Sequence, residues 1–331
     1  MARELIDLAD LDAVRVYVLP MRSRFRGIDY RTGVLLNGPA GWGEFCPFED
    51  YSDAESVPWL TAALESCTVP WPEPVRQSVP VNCTVPAVDA ATAHRVVTSS
   101  GCSTAKVKVA ERGQTAADDV ERVRAVRDAL GLAGAIRVDA NAAWDVDTAV
   151  TRIRELARAA GELEYVEQPC PTIDDLAEVR RRVDVRIAAD ESIRHADDPL
   201  RVAVAGAADV AVIKAAPLGG VHKALEVAEA SGLPCVVSSA VETSVGLAAQ
   251  LALAGTLPEL PFACGLGTTA LLDGDVVADS FVPVDGRLSV PRQAPAPDPT
   301  LVAAATPQAR TQRRWLDRLQ RVDALLREAA A

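Results

Sequence analysis

Charged side chains recur at the ends of short apolar segments, and their types and spacing could build a metal site. They are separated by about 23 to 33 residues, close to the length of one strand, one helix and two loops. The set comprises Lys106, Lys108, Asp139, Glu167, Asp190 and Lys214. Isolated charges in apolar strands are costly to bury unless they are paired or bound to a metal. Three carboxylates flanked by lysines therefore predict a divalent cation with ammonium groups on either side of it.

The alternation of side chains along a strand places these charges on one face. Successive residues point to opposite faces, so Lys106 and Lys108 share a face, and Asp139 shares one with Asn141. In a parallel barrel the functional side chains lie at the carboxyl ends of the strands. Three carboxylates from consecutive strands suit a hard cation such as Mg²⁺. Zinc would favour His or Cys ligands, which the set lacks.

Each acid taken alone also fits a simpler role. Asp139 could cap the following turn, and Glu167 could pair with an arginine. The joint order of two lysines, three acids and a further lysine, one strand apart each, favours the metal site. Lys106 also fits a purely electrostatic role beside Lys108.

The elements that would position these residues begin with a small N-terminal unit. Residues 13–19 and 33–37 indicate antiparallel strands, the second leading into Gly41-Trp-Gly-Glu44. A helix is predicted near 53–66. The proline-rich stretch 69–74 ends this unit.

After this linker the sequence alternates between strand and helix patterns. Strands are predicted near 79–85, 105–110, 136–141, 164–168, 186–190, 209–215, 234–239 and 262–266. Helices are predicted near 115–130, 147–160, 173–182, 198–205, 220–231 and 244–255. Eight strand positions with intervening helices favour a closed parallel barrel over an open doubly wound sheet.

The C-terminal tail over 307–329 is predicted to be a helix that docks on the body of the protein. Its apolar face has ordinary globular width and its charges are mixed. The face comprises Trp315, Leu316, Leu319, Val322, Leu325 and Leu326.

Composition indicates a metabolic enzyme rather than a nucleic-acid or membrane protein. The 331 residues are 49% hydrophobic, enough for a barrel and a smaller domain. A net charge of −12 argues against a nucleic-acid surface. No apolar run reaches the length of a membrane span, and the first residues lack a signal-peptide profile, so a cytoplasmic location is expected.

Two other kinds of site find little support. The seven cysteines are odd in number and scattered, without a Cys-x-x-Cys pair, so we expect structural thiols rather than disulfides or a zinc knuckle. Gly265-Leu-Gly267 is only a fragment of a dinucleotide-binding motif.

The motifs that carry these charges resemble the enolase superfamily in its muconate-lactonizing branch. Within that branch the chain resembles the o-succinylbenzoate synthase family of the actinobacterial type. The likeness covers roughly residues 13–290. Its barrel motifs are Ala105-Lys-Val-Lys-Val109, Val138-Asp-Ala-Asn141, Tyr165-Val-Glu-Gln-Pro169, Ala189-Asp-Glu-Ser192 and Val212-Ile-Lys214. Supporting stretches include Arg24-Phe-Arg-Gly27, Gly41-Trp-Gly-Glu-Phe45, Ala216-Pro-Leu-Gly-Gly220, Ser238-Ser-Ala240 and Ala263-Cys-Gly-Leu-Gly267.

The resemblance implies an α/β fold, a modified (β/α)₇β TIM-type barrel with an α+β capping domain. The barrel is expected over 78–284. The capping domain is expected over 1–77, with the segment from about 285 to 331 packing back on it.

The resemblance also implies a carbon–oxygen lyase of menaquinone biosynthesis. It would dehydrate 2-succinyl-6-hydroxy-2,4-cyclohexadiene-1-carboxylate to o-succinylbenzoate. Carried over by motif, Asp139, Glu167 and Asp190 hold Mg²⁺, for which Mn²⁺ could substitute. Lys108 would remove a proton and return it to the departing hydroxyl, while Lys214 would stabilise the enolate from the opposite face.

Contacts to the rest of the substrate are expected from a mobile loop over 22–27 and from later strand ends. A solvated basic loop and ordinary strand termination would explain the same residues. The candidates are Arg26, Asn141, Ser238, Ser239, Gly265 and Gly267.

Two other functions stay open. An N-succinylamino acid racemase or dipeptide epimerase of the same superfamily would use lysines on both faces of one carbon. A barrel without catalysis would serve as a binding module. In every catalytic case the expected partner is a small-molecule carboxylate, with neither nucleic acid nor membrane, and the pattern is compatible with a monomer.

Overall fold

The computed structural model describes residues 6–194 and 200–330. Its N-terminal part, here called the cap, is a three-stranded antiparallel sheet in the order β1-β2-β3 with a helix packed on it. These elements are β1 Ala13–Phe25, β2 Ile28–Gly38, β3 Gly41–Phe45 and α1 Asp53–Thr68. The helix begins at a capping box, in which Ser52 and Glu55 satisfy each other's backbone N–H groups.

A two-residue turn joins β1 to β2. Arg26 and Gly27 have φ angles of 51° and 77°, the left-handed values that the tightest hairpin turns favour. Phe25 pairs with Ile28 across this turn. The segment 22–27, expected as a loop, is therefore mostly strand, and only its last two residues turn.

The barrel is a parallel sheet whose strands follow one another in chain order from β5 to β11. A short antiparallel pair, β4 with β12, lies beside it. The strands are β4 Ser78–Pro80, β5 Cys83–Val85, β6 Thr104–Lys108, β7 Ala135–Asp139, β8 Val166–Glu167, β9 Ile187–Ala189, β10 Val210–Ile213, β11 Cys235–Val237 and β12 Arg287–Ser289.

Two single bridges close the barrel. Cys264 pairs with Val81, and Gly265 pairs with Ser238, both in parallel. The strand predicted over 262–266 is reduced to these bridges, because only one of its residues pairs with the chain on each side and no continuous ladder forms. The (β/α)₇β barrel with a cap is confirmed.

Helices surround the sheet and extend to the C-terminus. They are α2 Ala90–Ser100, α3 Ala116–Leu130, α4 Val146–Ala160, α5 Ile173–Arg182, α6 Glu191–Arg194, α7 Leu200–Val204, α8 Ala215–Leu218, α9 Val221–Ser231, α10 Ser244–Thr256, α11 Pro299–Ala304 and α12 Ala309–Ala330. Short 3₁₀ helices occur at Leu8–Asp10 and Thr269–Leu271. Part of the helix predicted over 198–205 lies outside the described residues.

Helix α2 was not predicted from the sequence. This helix fully buries only Ala93 and Val97, so its apolar stripe is narrow and weak. Its ends were nevertheless marked, because Asp89 caps the N-terminus and Gly101, with φ of 67°, ends the helix.

Helix α12 packs on α1 and on the strands of the cap. Trp315, Leu319, Val322 and Leu326 are buried in one cluster with cap residues, as the predicted stripe requires. Leu325, predicted on the same face, is 37% exposed. The buried residues are three, four or seven positions apart, and Leu325 lies at the edge of the stripe.

All seven cysteines are buried free thiols, which agrees with the predicted structural role. Burial raises the pKa of Cys83 to about 12 and that of Cys264 to about 11. Across the described ranges, no helix combines the length and apolarity that a membrane crossing needs.

Candidate active site

Six charged residues converge at the carboxyl ends of neighbouring barrel strands. All of their side chains are buried. They are Lys106 and Lys108 on β6, Asp139 on β7, Glu167 on β8, Asp190 directly after β9 and Lys214 directly after β10. The register pairs Lys108 with Asp139, and Asp139 with Glu167, across adjacent strands. The period seen in the sequence therefore brings these charges into one site.

The lysines bind the carboxylates directly. The Lys106 ammonium donates to both oxygens of Glu167 at 3.1 Å and lies 3.4 Å from Oδ2 of Asp139. Lys108 donates to Asp139 and, at 2.7 Å, to Oδ1 of Asn141. Three carboxylates thus share the site with three ammonium groups.

A separate ion pair joins Lys214 to Asp190, with 2.6 Å between Nζ and Oδ2. Gln168 fixes the backbone beside this pair. Its Oε1 accepts from the N–H groups of Asp190 and Ser192 at 2.9 and 3.1 Å, and its Nε2 donates to Cys170 O and Ser192 Oγ. This buried amide holds the start of the segment after β9 in one conformation.

Burial and neighbouring charge shift the pKa values of these groups. Burial, aided by the charge of Lys106, lowers the pKa of Lys108 although Asp139 opposes the shift. Burial and the charge of Asp139 raise the pKa of Glu167 to about 7. Burial opposes the shift at Asp139, but its two lysine partners hold its pKa far below the ordinary value.

The carboxylates of Asp139, Glu167 and Asp190 are donors of the type that Mg²⁺ prefers. In the described ranges, however, no three His, Cys, Asp or Glu side chains lie close enough together to hold a metal ion. Each carboxylate of the set faces an ammonium group. Three carboxylates on consecutive strands nevertheless supply the hard oxygen donors that Mg²⁺ prefers. Burial raises the pKa of Glu167, and a bound cation would favour its charged form.

A cavity lined by these charges opens over them. Five of the six lining charges come from the set, and Glu167 lies behind them. Of the predicted substrate contacts, the cavity is lined by Arg26, Asn141, Ser238, Ser239 and Gly265. Gly267 does not line it: a Cβ there would lie 2.8 Å from the carbonyl oxygen of Asn82.

Several lining residues were not singled out from the sequence. They are Phe25, Phe48, Thr84, Ala240, Val241 and Thr268. Thr84 pairs with Lys106 in the register of β5 and β6, so alternation along the predicted strand 79–85 could have found it. The two phenylalanines come from the cap, and only the packing of the cap on the barrel brings them here.

The cap side of the cavity is built from stacked cationic and aromatic groups. The Arg26 guanidinium lies 4.2 Å from the ring centroid of Phe48 and donates to the hydroxyl of Tyr51 at 3.1 Å. On the barrel side, the hydroxyls of Ser239 and Thr268 are 2.6 Å apart. The cavity therefore offers one cation and several hydroxyl groups away from the carboxylates.

Solved structures with this architecture include enzymes of several activities. Muconate lactonizing enzyme from Pseudomonas fluorescens superposes with a TM-score of 0.75 at 21% identity, covering 89% of this chain and 98% of that one. L-Ala-D/L-Glu epimerase from Bacillus subtilis gives 0.73 at 23% identity, covering 85% and 96%. At these identities the likeness shows the fold.

Two family models match separate parts of the chain. Residues 89–295 match the enolase C-terminal domain-like family, and residues 16–67 match the enolase N-terminal domain-like family. A capped barrel with acids and lysines at its strand ends defines an enzyme of the enolase superfamily.

Curated relatives identify the family to which the chain belongs within this superfamily. The chain is 63% identical over 278 residues to a protein of Thermobifida fusca, covering 84% of this chain and 87% of the relative. It is 52% identical over 318 residues to one of Mycolicibacterium smegmatis, covering 96% and 97%. Both relatives are named o-succinylbenzoate synthase, and the chain belongs to this family.

Proposed function

We propose that the protein is a hydro-lyase that dehydrates 2-succinyl-6-hydroxy-2,4-cyclohexadiene-1-carboxylate to o-succinylbenzoate, a step of menaquinone biosynthesis. The observation that carries the chemistry is Lys108: a buried lysine with a lowered pKa at the edge of a cavity lined by acids. A lysine can act as a base only if its pKa is lowered, and the shift of Lys108 has this direction. The names of the relatives supply the product, o-succinylbenzoate, and the substrate is the one that the resemblance implies.

Lys108 accepts the proton from the carbon next to the substrate carboxylate, and the electrons of that C–H bond move into the carboxylate as an enolate. Lys108 then returns the proton to the hydroxyl group as its C–O bond breaks. Water leaves, and the ring becomes aromatic. One group on one face thus serves as both base and acid.

The charges around Lys108 support this cycle. When bound, Mg²⁺ supplies positive charge that stabilises the enolate oxygens, and we assign it to Asp139, Glu167 and Asp190, with Mn²⁺ as an expected substitute. Lys214 adds a second cation to the same cavity. Arg26 offers its guanidinium to the distal succinyl carboxylate, because it is the cation on the cap side of the cavity.

The test is metal-dependent turnover of the purified protein with this substrate. Chelation should abolish product formation, and added Mg²⁺ should restore it. Asp190→Asn should lower turnover by about 10²-fold to 10³-fold or more, since it removes a charged group from the site. Asp275→Asn is the matched control, because Asp275 is also buried but does not line the cavity. Full activity of Asp190→Asn with Mg²⁺ would contradict the metal assignment.

A second function, racemisation of an N-succinylamino acid or epimerisation of a dipeptide, is favoured by the presence of Lys108 and Lys214 in one cavity. Two lysines could exchange a proton on both faces of one carbon. This reaction predicts uptake of deuterium at the α-carbon of an N-succinylamino acid in deuterium oxide. Turnover in either assay rules out a binding module without catalysis.

A further inference from the structure

Arg31 on β2 is a buried cation that the proposed chemistry does not use. It is 2% exposed and does not line the cavity. Its Nε donates to Val241 O at 3.1 Å, and its Nη2 donates to Ala240 O at 3.1 Å and to Cys46 O. One guanidinium of the cap therefore binds a carbonyl of the cap and two carbonyls of the barrel.

The two barrel carbonyls belong to the segment 238–241 that follows β11, and this segment lines the cavity. Val241 has a φ of +64°, a left-handed conformation that is strained for a β-branched residue. Its N–H group donates to Ser239 Oγ at 2.9 Å, and its carbonyl accepts from Arg31. Hydrogen bonds to both the N–H and the carbonyl of Val241 thus hold this residue in a conformation that is otherwise unfavourable for valine.

The Arg31 guanidinium also contacts the wall of the cavity that the cap supplies. Its Cζ lies 4.4 Å from the ring centroid of Phe48, and Phe48 in turn stacks with Arg26. Arg31 is therefore in contact with both walls that enclose the end of the cavity away from the carboxylates. Its hydrogen bonds and its ring contact do not involve β6 to β10, so Arg31 does not contact the lysines of the site directly.

We infer that Arg31 is a positioning residue for substrate binding: it fixes the strained segment 238–241 and the cap wall at the separation that the distal part of the substrate requires. This inference rests on the proposed function. It assigns Arg31 an effect on KM, because the groups that carry out proton transfer stay in place. A merely structural arginine would lower stability without a selective change in KM.

Arg31→Lys tests this role, because it keeps the charge but loses the planar guanidinium that binds several carbonyls at once. KM should rise about tenfold, the change expected when one charge-assisted hydrogen bond is lost, with kcat within about threefold of wild type. Arg137→Lys is the matched control: Arg137 is also buried, and its bonds go to Asn82, Glu164, Tyr165 and Ala263, none of which lines the cavity. It should lower stability and leave KM unchanged.

Val241→Gly sharpens the test, since glycine adopts φ of +64° without strain. The single variant measures the direct effect of losing the valine side chain. In the Val241→Gly background, Arg31→Lys should raise KM by less than about threefold, since the segment no longer needs to be held.

The outcomes separate cleanly. An active wild type in which Arg31→Lys leaves KM unchanged or lowers kcat alone overturns the positioning role. An equal rise of KM in both backgrounds overturns the part of this role that rests on the segment 238–241. A wild type without dehydration activity contradicts the proposed function instead.

Discussion

Two lysines on one strand, Lys106 and Lys108, have opposite pKa shifts. Burial favours the neutral amine in both, but Lys106 contacts Glu167 and Asp139, whose charges outweigh burial and raise its pKa. Lys108 pairs with Asp139 and a neutral amide, and the charge of Lys106 works against its protonation, so its pKa is lowered. Of the two, only Lys108 has its pKa shifted in the direction that the proposed base requires.

The division of labour between Lys108 and Lys214 gives a direct prediction. Lys108→Ala should lose dehydration by about 10³-fold, because no other group takes the proton. Lys214→Arg keeps a cation and should retain part of this activity. Arginine, with a pKa above about 12, cannot serve as the second base, so racemisation should be lost far more than dehydration. The rates of both reactions, in variants with native circular dichroism, check this. Equal losses in Lys214→Arg would contradict the assignment.

At this scale the sequence identifies the charged set because each member ends an apolar run. The residues that hold this set and the cavity walls in place have no comparable sequence pattern. Gln168 looks like any polar residue after a strand, and its role depends on four hydrogen bonds to the segments after β8 and β9. Arg31 is one arginine among many until the cap packs on the barrel.

Among the elements, α9 shows how cap and barrel meet at a helix end. Glu65 on α1 accepts from the N–H of Val221 at 2.6 Å, at the first residue of α9. Gly220, with φ of +123°, leaves room for this carboxylate: a Cβ there would lie 2.6 Å from Glu65 Oε1. The N-terminus of α9 thus binds a charge supplied by the cap.

Alanine substitutions at the two ends of α9 test this contact. Gly220→Ala should destabilise the protein by about 3 kcal/mol, because it adds backbone strain and displaces Glu65. Gly232→Ala is the control: its φ is +61° and a Cβ would meet nothing within 4 Å, so strain alone should cost about 1 kcal/mol. Urea unfolding of both variants measures the difference. Equal losses would show that Glu65 moves freely.

Whether a segment forms a helix or a strand was predictable where the period of its apolar residues matches the residues that the fold buries. Helices such as α4, with a strong apolar stripe and Asp145 as N-cap, matched the prediction within two residues. The eighth strand, predicted over 262–266, differs from its prediction. Its sequence has the pattern of a strand, but its residues make only two bridges. Bridging is decided by neighbours distant in the chain, which local periodicity does not contain.

For the whole molecule, the fit of cap to barrel also depends on Glu44, the last residue of the Gly-Trp-Gly-Glu motif. This buried carboxylate accepts from Tyr17 OH at 2.6 Å, from the Thr243 hydroxyl, and from Gly246 N at 2.9 Å. Its acceptor oxygens face the N-terminus of α10. Burial raises its pKa despite these hydrogen bonds.

The raised pKa of Glu44 predicts a pH dependence of stability. A carboxyl whose folded pKa exceeds the unfolded value of about 4.3 contributes most below that value, and its contribution is lost as pH rises through the folded pKa. Glu44→Gln does not titrate, so the stability of wild type relative to this variant should fall as pH rises from about 4. Melting temperatures from pH 4 to 8 measure it. A difference between wild type and Glu44→Gln that stays constant over this range would contradict the shift.

The buried cysteine thiols can report where the protein opens locally. Cys46 and Cys67 lie in the cap, while the barrel and its margins hold Cys83, Cys102, Cys170, Cys235 and Cys264. A buried thiol reacts with an alkylating agent only when its surroundings open. The order in which peptides acquire the label under native conditions therefore reports whether cap and barrel loosen together or one before the other, without any introduced probe.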